Sequence, residues 1–398
     1  MLAAAAALVN ETLEKEPLIF LTVLNMLVAL FLLVLLVIAI SNLFVLRSLK
    51  DYKKCRQQSF VSVLIPARNE EEGIGSCVKS LLAQDYPHYE VLVLDDDSSD
   101  GTWQILESLA ASNSRLNIGK GTPLPQGWLG KHWACHQLSL KAQGDLLLFT
   151  DADTIHRPSM LKHAVAAMEA EKTDLISALP KQVMPSFLEK LIMPFSYWGI
   201  ISFLPLTIAY RNQNILFSAA TGQFMLFKTS SYRQIGGFEA VGQHVVDDIE
   251  LCKRVRSHGL RWRLLDGRSG YRVRQYKNCR ELFEGYTKNL FAGFGNNAAA
   301  YISIWLWLTA VFWLPLISLT LGLVNNDTLN FLTWLGAGGI MVSLATWFIA
   351  CARFGFPLYL PFFYPAIILI MTSMAMSSMA MNLSRKATWK GRLMPGSK

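Results

Sequence analysis

The chain has 398 residues, of which 52 % are hydrophobic and 17 % charged, with a formal net charge of +8. That length holds one α/β domain plus several membrane spans, and the apolar residues crowd the two ends, which excludes a single large soluble core. Much of the positive charge lies beside apolar stretches (Arg47, Lys50, Lys53, Lys54, Arg56 and Arg385, Lys386, Lys390, Arg392, Lys398), and no RNA- or DNA-binding signature accompanies it, so it suits anionic lipid rather than nucleic acid. The cysteines (Cys55, Cys77, Cys135, Cys252, Cys279, Cys351) form no CxxC or His pairing. They read as reduced core or membrane thiols, not a disulfide framework or a zinc site.

In chain order, residues 1–17 carry Glu11, Glu14 and Glu16 and are expected outside the cytoplasm. Leu18–Ile40 is uncharged and long enough to cross a hydrocarbon layer of about 30 Å, so residues 18–43 are expected to be a transmembrane anchor. The stretch is too long for a signal peptide and no small-residue cleavage site follows it. Basic residues do follow, which by the positive-inside rule places what comes next in the cytoplasm.

Val61–Ile65 predicts a short buried strand stopping at Pro66, and Ile74, Val78, Leu81 and Leu82 share one face of a following helix. Val91–Leu94 and Leu146–Phe149 predict two more strands, with Ile105, Leu106 and Leu109 on a helix between them. Strands alternating with helices imply a mostly parallel sheet with covered faces. In such sheets ligands sit outside the carboxyl ends of the strands. Three polar clusters occupy those ends: Pro66-Ala67-Arg68-Asn69-Glu70, Asp95-Asp96-Asp97 and Asp151-Ala152-Asp153.

Three consecutive carboxylates repel one another unless donors face them. Ribose and base groups of a nucleotide offer such donors, which suits Asp96, while Asp100 reads as a cap for the helix after Gly101-Thr102. Asp151-Ala152-Asp153 puts two carboxylates on one side of an extended segment, and Mg²⁺ or Mn²⁺ takes one or two carboxylates plus substrate phosphates. Asp153 is the expected metal ligand, with Asp151 beside the donor. Ile192–Tyr210 is apolar yet falls between acidic clusters assigned to one site, so it should not cross the membrane. It is expected to lie in the interface with Tyr197, Trp198 and Tyr210 at headgroup depth, broken by Pro194 and Pro205; a buried core helix is the other reading.

Asp247-Asp248 opens a helix carrying Leu251 and Val255. Paired acids there can simply complement the helix dipole. Beside a nucleotide and a metal, one of them can instead take a hydroxyl proton from an acceptor. Toward the end, Tyr301–Val324, Leu329–Ala350 and Phe356–Met381 make residues 301–382 a candidate transmembrane region, followed by a basic tail at 383–398. Asn325-Asn326-Asp327 reads as an outside turn. Three full crossings would leave the basic tail outside, against the positive-inside rule, and Pro357, Pro361 and Pro365 interrupt the last stretch, so the parity stays open.

Taken as an ordered set, Ile65–Glu71, Asp95–Thr102, Asp151-Ala152-Asp153 and Asp247-Asp248 resemble the family 2 glycosyltransferases, over roughly residues 58–290. The resemblance implies a GT-A (Rossmann-like) α/β nucleotide-sugar domain with flanking transmembrane helices and a metal-dependent hexosyltransferase activity. It implies Asp96 at the nucleoside, Asp153 on the metal and Asp248 as the base with Asp247 beside it; Asp97 stands where glycine is common. Pro66, Arg68, Glu70 and Asp151 would line the donor site. Pro125–Cys135, Phe283–Asn289 and Trp389–Arg392 are similar to a membrane-bound subgroup that includes carotenoid and hopanoid-associated enzymes. Lys131 would then face donor phosphate, and Gly222, Gln223 and Lys288 the acceptor side, although Glu284 and Lys288 also stand at a helix-pair spacing.

The expectation is therefore inverting transfer of one sugar from a nucleotide-sugar donor, a UDP-sugar foremost, to a hydroxyl of a membrane lipid such as a carotenoid or other isoprenoid. The enzyme would sit in a cell or internal membrane with its catalytic domain cytoplasmic. A processive polysaccharide or glycolipid synthase is the alternative, disfavoured because the Gln-x-x-Arg-Trp signature of those enzymes is missing. A membrane scaffold retaining the fold is the non-enzyme alternative, and Asp96, Asp153 and Asp248 all stand against it. A transporter is weaker still, since the spans lack internal charge.

Overall fold

The computed structural model describes residues 2–53, 58–292, 297–325, 331–383 and two short strands at 388–389 and 392–393. Lys54, Cys55, Arg56, Asn326, Asp327, Leu329, Arg385, Lys386, Lys390, Gly391 and Lys398, named above, lie outside the described residues. The chain divides into two compact units, one of Met1–Leu43, Ser186–Pro205 and Asn296–Ser377, the other of Phe44–Pro185, Leu206–Gly295 and Ser378–Lys398.

The first unit is helical. Ile19–Val45, Ala298–Val324, Phe331–Phe354 and Leu360–Leu383 are each long and apolar enough to cross a membrane. Their outward faces carry large apolar side chains, among them Phe20, Val37, Leu306 and Met341. Their inward faces close through small residues and paired polar groups, as expected where hydrocarbon supplies no hydrogen bonds. A Cβ at Gly336 would lie 2.7 Å from the Pro315 carbonyl, so only glycine lets those two helices approach so closely. Ser318 donates to Asn25 (3.1 Å), and Asn42 donates to the Ile201 and Leu204 carbonyls (2.9 and 2.7 Å).

Ile192–Tyr210 takes the buried-helix alternative over much of its length. Pro194 opens the helix Pro194–Phe203 and Pro205 separates it from Leu206–Ala209, so both prolines break the chain where expected. Two of the aromatic residues, Tyr197 and Trp198, are buried against other side chains. Trp198 is fully buried, stacks on Trp347 at 4.8 Å and donates to Thr346 (3.2 Å), while Tyr197 packs on Phe354 and Phe356. Tyr210 belongs to the second unit, half-buried, with its hydroxyl donating to the Leu264 carbonyl (2.9 Å). These partners are distant in sequence, and a buried N–H or O–H that finds an acceptor loses little by leaving water.

The second unit is built on a sheet of strands β1 (Val61–Ala67), β2 (Tyr89–Asp95), β3 (Leu116–Lys120) and β4 (Leu146–Phe149). A three-residue strand, β5 (Thr154–His156), follows Asp151-Ala152-Asp153; β6 (Leu175–Leu179), β7 (Lys181–Gln182), β8 (Met225–Lys228), β9 (Trp262–Asp266) and β10 (Tyr271–Val273) complete the set. The main sheet has the order β3-β2-β1-β4-β8-β6-β9, and only β8 runs antiparallel to its neighbours. β5, β10 and β7 form a separate small sheet. Strands β1, β2, β4 and β6 are almost wholly buried, which is why they read as unbroken apolar runs rather than alternating ones. Since β8 is reversed, its leading residues Gly222 and Gln223 arrive at the same sheet edge as the carboxyl ends of β1, β2 and β4. Cys77, Cys135, Cys252 and Cys351 are buried free thiols, whereas Cys279 is exposed, contrary to the core or membrane reading of that residue.

Candidate active site

At that edge two loops are laced together. Arg68 Nη1 donates to the Asp96 carbonyl (2.6 Å) and stands 3.8 and 3.9 Å from the Asp96 and Asp97 carboxylates. Asn69 N–H donates to Ser98 Oγ (3.0 Å), Ser99 N–H to Asn69 Oδ1 (2.8 Å), and Glu70 N–H to Thr102 Oγ1 (2.8 Å). Asp100 accepts from the Thr102 amide (3.0 Å) and hydroxyl (2.6 Å), satisfying a first-turn donor of the helix Thr102–Ala110. Asp96 is buried, and Pro66 lies near the end of β1. Asn69 and Asp97 have φ of +52° and +59°. Such a conformation costs most residues about 1 kcal/mol or more and Asn or Asp somewhat less. Asp97→Gly is thus expected to raise the melting temperature, by no more than about 1 kcal/mol of stability. A fall in thermal unfolding temperature would mean that the exposed Asp97 carboxylate holds Arg68 more strongly than the backbone resists it.

The second half of the site gathers around Lys131. The segment 125–131 docks on Gly242, whose carbonyl accepts from Leu129 N–H (3.0 Å), and this swings the start of the helix Gly130–Lys141 toward the carboxylates. Lys131 Nζ reaches Asp151 Oδ1 at 2.6 Å. Burial would lower the lysine pKa, but Asp151 and Asp247 raise it above its usual range, so it is a fixed cation. Gly222 donates its N–H to Asp248 Oδ2 (2.9 Å), and Ile249 N–H donates to Asp248 Oδ1 (2.8 Å). A Cβ at Gly222 would sit 3.4 Å from Lys131 Nζ and 3.9 Å from Asp248 Oδ2. The bare Gly222 backbone therefore separates the Lys131 ammonium on Asp151 from the Asp248 carboxylate on the helix Asp247–Ser257.

The two acids of that helix have opposite electrostatics. Burial and the adjacent Asp247 push the Asp248 carboxyl up to about 7. Asp247 is also buried, which opposes ionisation, yet His132 and Lys131 outweigh this and hold it below the usual carboxylate range, with Lys288 adding to them. His132 was not singled out by sequence. Its Nε2 stands 3.6 Å from Asp247 Oδ2 and its Nδ1 3.2 Å from the Gly242 carbonyl. The signal for it was its place next to Lys131 in the 125–135 segment; a lone histidine on a helix otherwise reads as core. Glu284 accepts from Arg280 (2.8 Å), a helix pair on the turn before the one expected with Lys288. Gln223 is buried, and its carbonyl accepts from the Thr150 hydroxyl (2.8 Å), so it braces β4.

Asp153 has the character a hard cation needs. Its Oδ1 is buried without a hydrogen-bond partner. Burial, then Asp151 and Glu70, push its carboxyl up to about 7, a sign of negative charge in want of a positive partner. Among the described residues no three His, Cys, Asp or Glu side chains form a ready-made cage. An ion held by one or two carboxylates and completed by substrate phosphates fits that donor set.

Residues 62–236 match the family described as Glycosyl transferase family 2. That match takes in β1 to β8 and with them most of the acidic edge of the sheet. Over 255 residues the chain is 27 % identical to the 4,4'-diaponeurosporenoate glycosyltransferase of Staphylococcus aureus (strain USA300), covering 62 % of this chain and 65 % of that protein. A protein of the same name from Staphylococcus haemolyticus (strain JCSC1435) is 26 % identical over 236 residues, 58 % of this chain and 61 % of the relative. The match thus spans less than two thirds of the length of these relatives. Among solved structures, the mannosyltransferase of Pyrobaculum calidifontis in complex with GDP-Man and Mn²⁺ superposes with a TM-score of 0.52 at 16 % identity, covering 91 % of this chain and 99 % of that one. At that identity the likeness shows the fold, which is GT-A.

Proposed function

We propose that this chain transfers a single sugar, with inversion, from a nucleotide-diphosphate sugar to a hydroxyl of a membrane lipid, with a carotenoid or other isoprenoid alcohol the first candidate. The observation that carries the reading is the pairing across Gly222: a lysine clamped to the metal motif on one side, a carboxylate with a raised pKa on the other. Arg68 and Asp96 would receive the nucleoside and Lys131 the diphosphate. Asp153 would hold the cation together with the donor; a bound divalent cation supplies Lewis acidity toward the leaving diphosphate. Support for Mn²⁺ or Mg²⁺ comes from the orphaned Asp153 oxygen and from the Mn²⁺ of the mannosyltransferase complex.

In the transfer step the acceptor oxygen forms a bond to the anomeric carbon as the bond to the diphosphate breaks. The hydroxyl proton passes to Asp248, and the nucleoside diphosphate departs with the bonding electron pair. The Gly222 and Ile249 amides fix the orientation of that carboxylate. Asp247, kept ionised, raises the proton affinity of Asp248 toward the operating pH, where general bases work best. The relatives are named for an acid, diaponeurosporenoate. A carboxylate acceptor is already ionised and needs no base, so the raised pKa of Asp248 favours a hydroxyl. The basic residues Arg47, Lys50 and Lys53 after the first apolar helix support a cytoplasmic catalytic domain.

Lipid extracts of cells with and without the protein, compared by mass spectrometry, test this. One lipid or pigment heavier by one hexose or deoxyhexose should depend on the protein. Unchanged lipids, or a family of products of increasing length, would reject single transfer.

A further inference from the structure

A buried polar cluster lies behind the Asp151–Asp153 turn and is not used by the chemistry above. Thr150 and Thr154 flank the turn. The Thr150 hydroxyl is 2.8 Å from the Gln223 carbonyl, and the Thr154 hydroxyl 2.7 Å from the Asp151 carbonyl. His156 Nε2 approaches both hydroxyl oxygens, at 3.2 Å from Thr150 and 2.8 Å from Thr154. The two hydroxyls also face each other, at a longer 3.1 Å.

Proton counting settles the roles. Each hydroxyl owns one proton, and a carbonyl can only accept. Both threonine protons go to the carbonyls, so neither is left for the ring. His156 must carry its hydrogen on Nε2 and donate it, and the neutral ring then has a bare lone pair at Nδ1. That nitrogen is indeed buried without a hydrogen-bond partner. The ring is 4 % exposed and lies flat on Tyr271, its register partner across β5 and β10, at 5.3 Å. Burial drives its pKa down to about 3, so it stays neutral at working pH.

We propose that His156 is a positioning residue whose Nε2–H locks both threonine hydroxyls onto the Asp151 and Gln223 carbonyls, tying the metal-bearing turn to the turn that presents Gly222 to Asp248. The Gly222 amide holds Asp248 one residue before the Gln223 carbonyl that Thr150 holds. One buried ring thereby sets the register between the cation side and the base side of the site. This rests on the proposed function, because it assigns the turn a metal.

The test uses the full chain in detergent and follows Mn²⁺ by electron paramagnetic resonance, with UDP and, in a parallel series, GDP; the nucleotide that tightens Mn²⁺ more in the wild type is used for the variants. His156→Leu removes the donor, whereas His156→Gln keeps an N–H in about the same place. His156→Leu should weaken Mn²⁺ by about 10- to 100-fold, as loss of partners behind metal ligands commonly does, and His156→Gln should recover most of it. The Mn²⁺ concentration for half-maximal transfer should rise in parallel, while kcat at saturating Mn²⁺ changes less. Thr154→Val carries the same expectation and decides the matter if His156→Leu does not fold. Wild-type Mn²⁺ affinity in Thr154→Val or in folded His156→Leu, or a His156→Gln as weak as His156→Leu, would overturn the proposal. Asp153→Ala separates the two ideas: if it keeps its Mn²⁺, the metal reading itself fails; if it loses Mn²⁺ while the His156 and Thr154 variants do not, only the positioning role fails.

Discussion

Asp153→Ala should lower sugar transfer on the order of a thousandfold, because a cation at a leaving diphosphate is worth several kcal/mol of transition-state stabilisation. Raising Mn²⁺ should not restore it. The same carboxylate has a cost in the metal-free protein. Its folded pKa stands at about 7, above the ordinary value of 3.8, so the folded state holds the proton more tightly than the unfolded chain. Stability from this group is therefore full at low pH and lost as the pH rises through about 7. The loss begins above the unfolded value of 3.8, so Asp153→Asn, neutral throughout, should melt higher than the wild type at pH 8 without metal, gain clearly less at pH 5, and gain little only near pH 3. Mn²⁺ with a nucleoside diphosphate should stabilise the wild type more at pH 8 than at pH 5, and the variant at neither. A wild type whose melting temperature ignores both pH and Mn²⁺ would show that Asp153 is not the ligand.

Asp248→Asn should lower transfer by about 10²- to 10⁴-fold, the usual span for removing a general base, while leaving metal-dependent donor binding nearly intact. The side chain keeps its size, and one oxygen remains to accept from the Gly222 or Ile249 amide. The pH profile gives the sign independently. A base must be ionised to act, and the Asp248 carboxyl is pushed up to about 7. kcat/KM should accordingly be full above that pH and fall about tenfold per unit below the apparent pKa. A bound divalent cation favours the ionised form, so the break should move to lower pH as metal saturates. Loss of donor binding in step with transfer would make Asp248 a donor contact instead. A near-normal rate would point to an acceptor that arrives ionised, the carboxylate case.

The sheet and its acidic edge were legible because buried parallel strands announce themselves as short apolar runs, and β1, β2 and β4 end where polar clusters begin. Proximity across the sheet was less so. β8 has the same composition as its neighbours, and nothing in Met225–Lys228 says that it runs backwards, yet that reversal is what delivers Gly222 to Asp248. The partners of His132 and His156 are equally hidden, since a histidine's role depends on which atoms meet its two nitrogens. Tyr197 and Trp198 illustrate the same point. Their composition does not name the partners they pack on, Trp347, Phe354 and Phe356, which lie far along the chain. The positive φ of Asp97 was foreshadowed by the glycine common at that place in the family, and the conformation gives that preference its physical reason.

The most direct measurement incubates membranes carrying the full chain with labelled nucleotide sugars and Mn²⁺, then resolves the lipid fraction by chromatography and mass. One labelled lipid, heavier by a single sugar, should appear, and its formation should stop with a chelator, in Asp153→Ala and in Asp248→Asn. Label that persists through all three interventions, or that accumulates in a polymer, would contradict it.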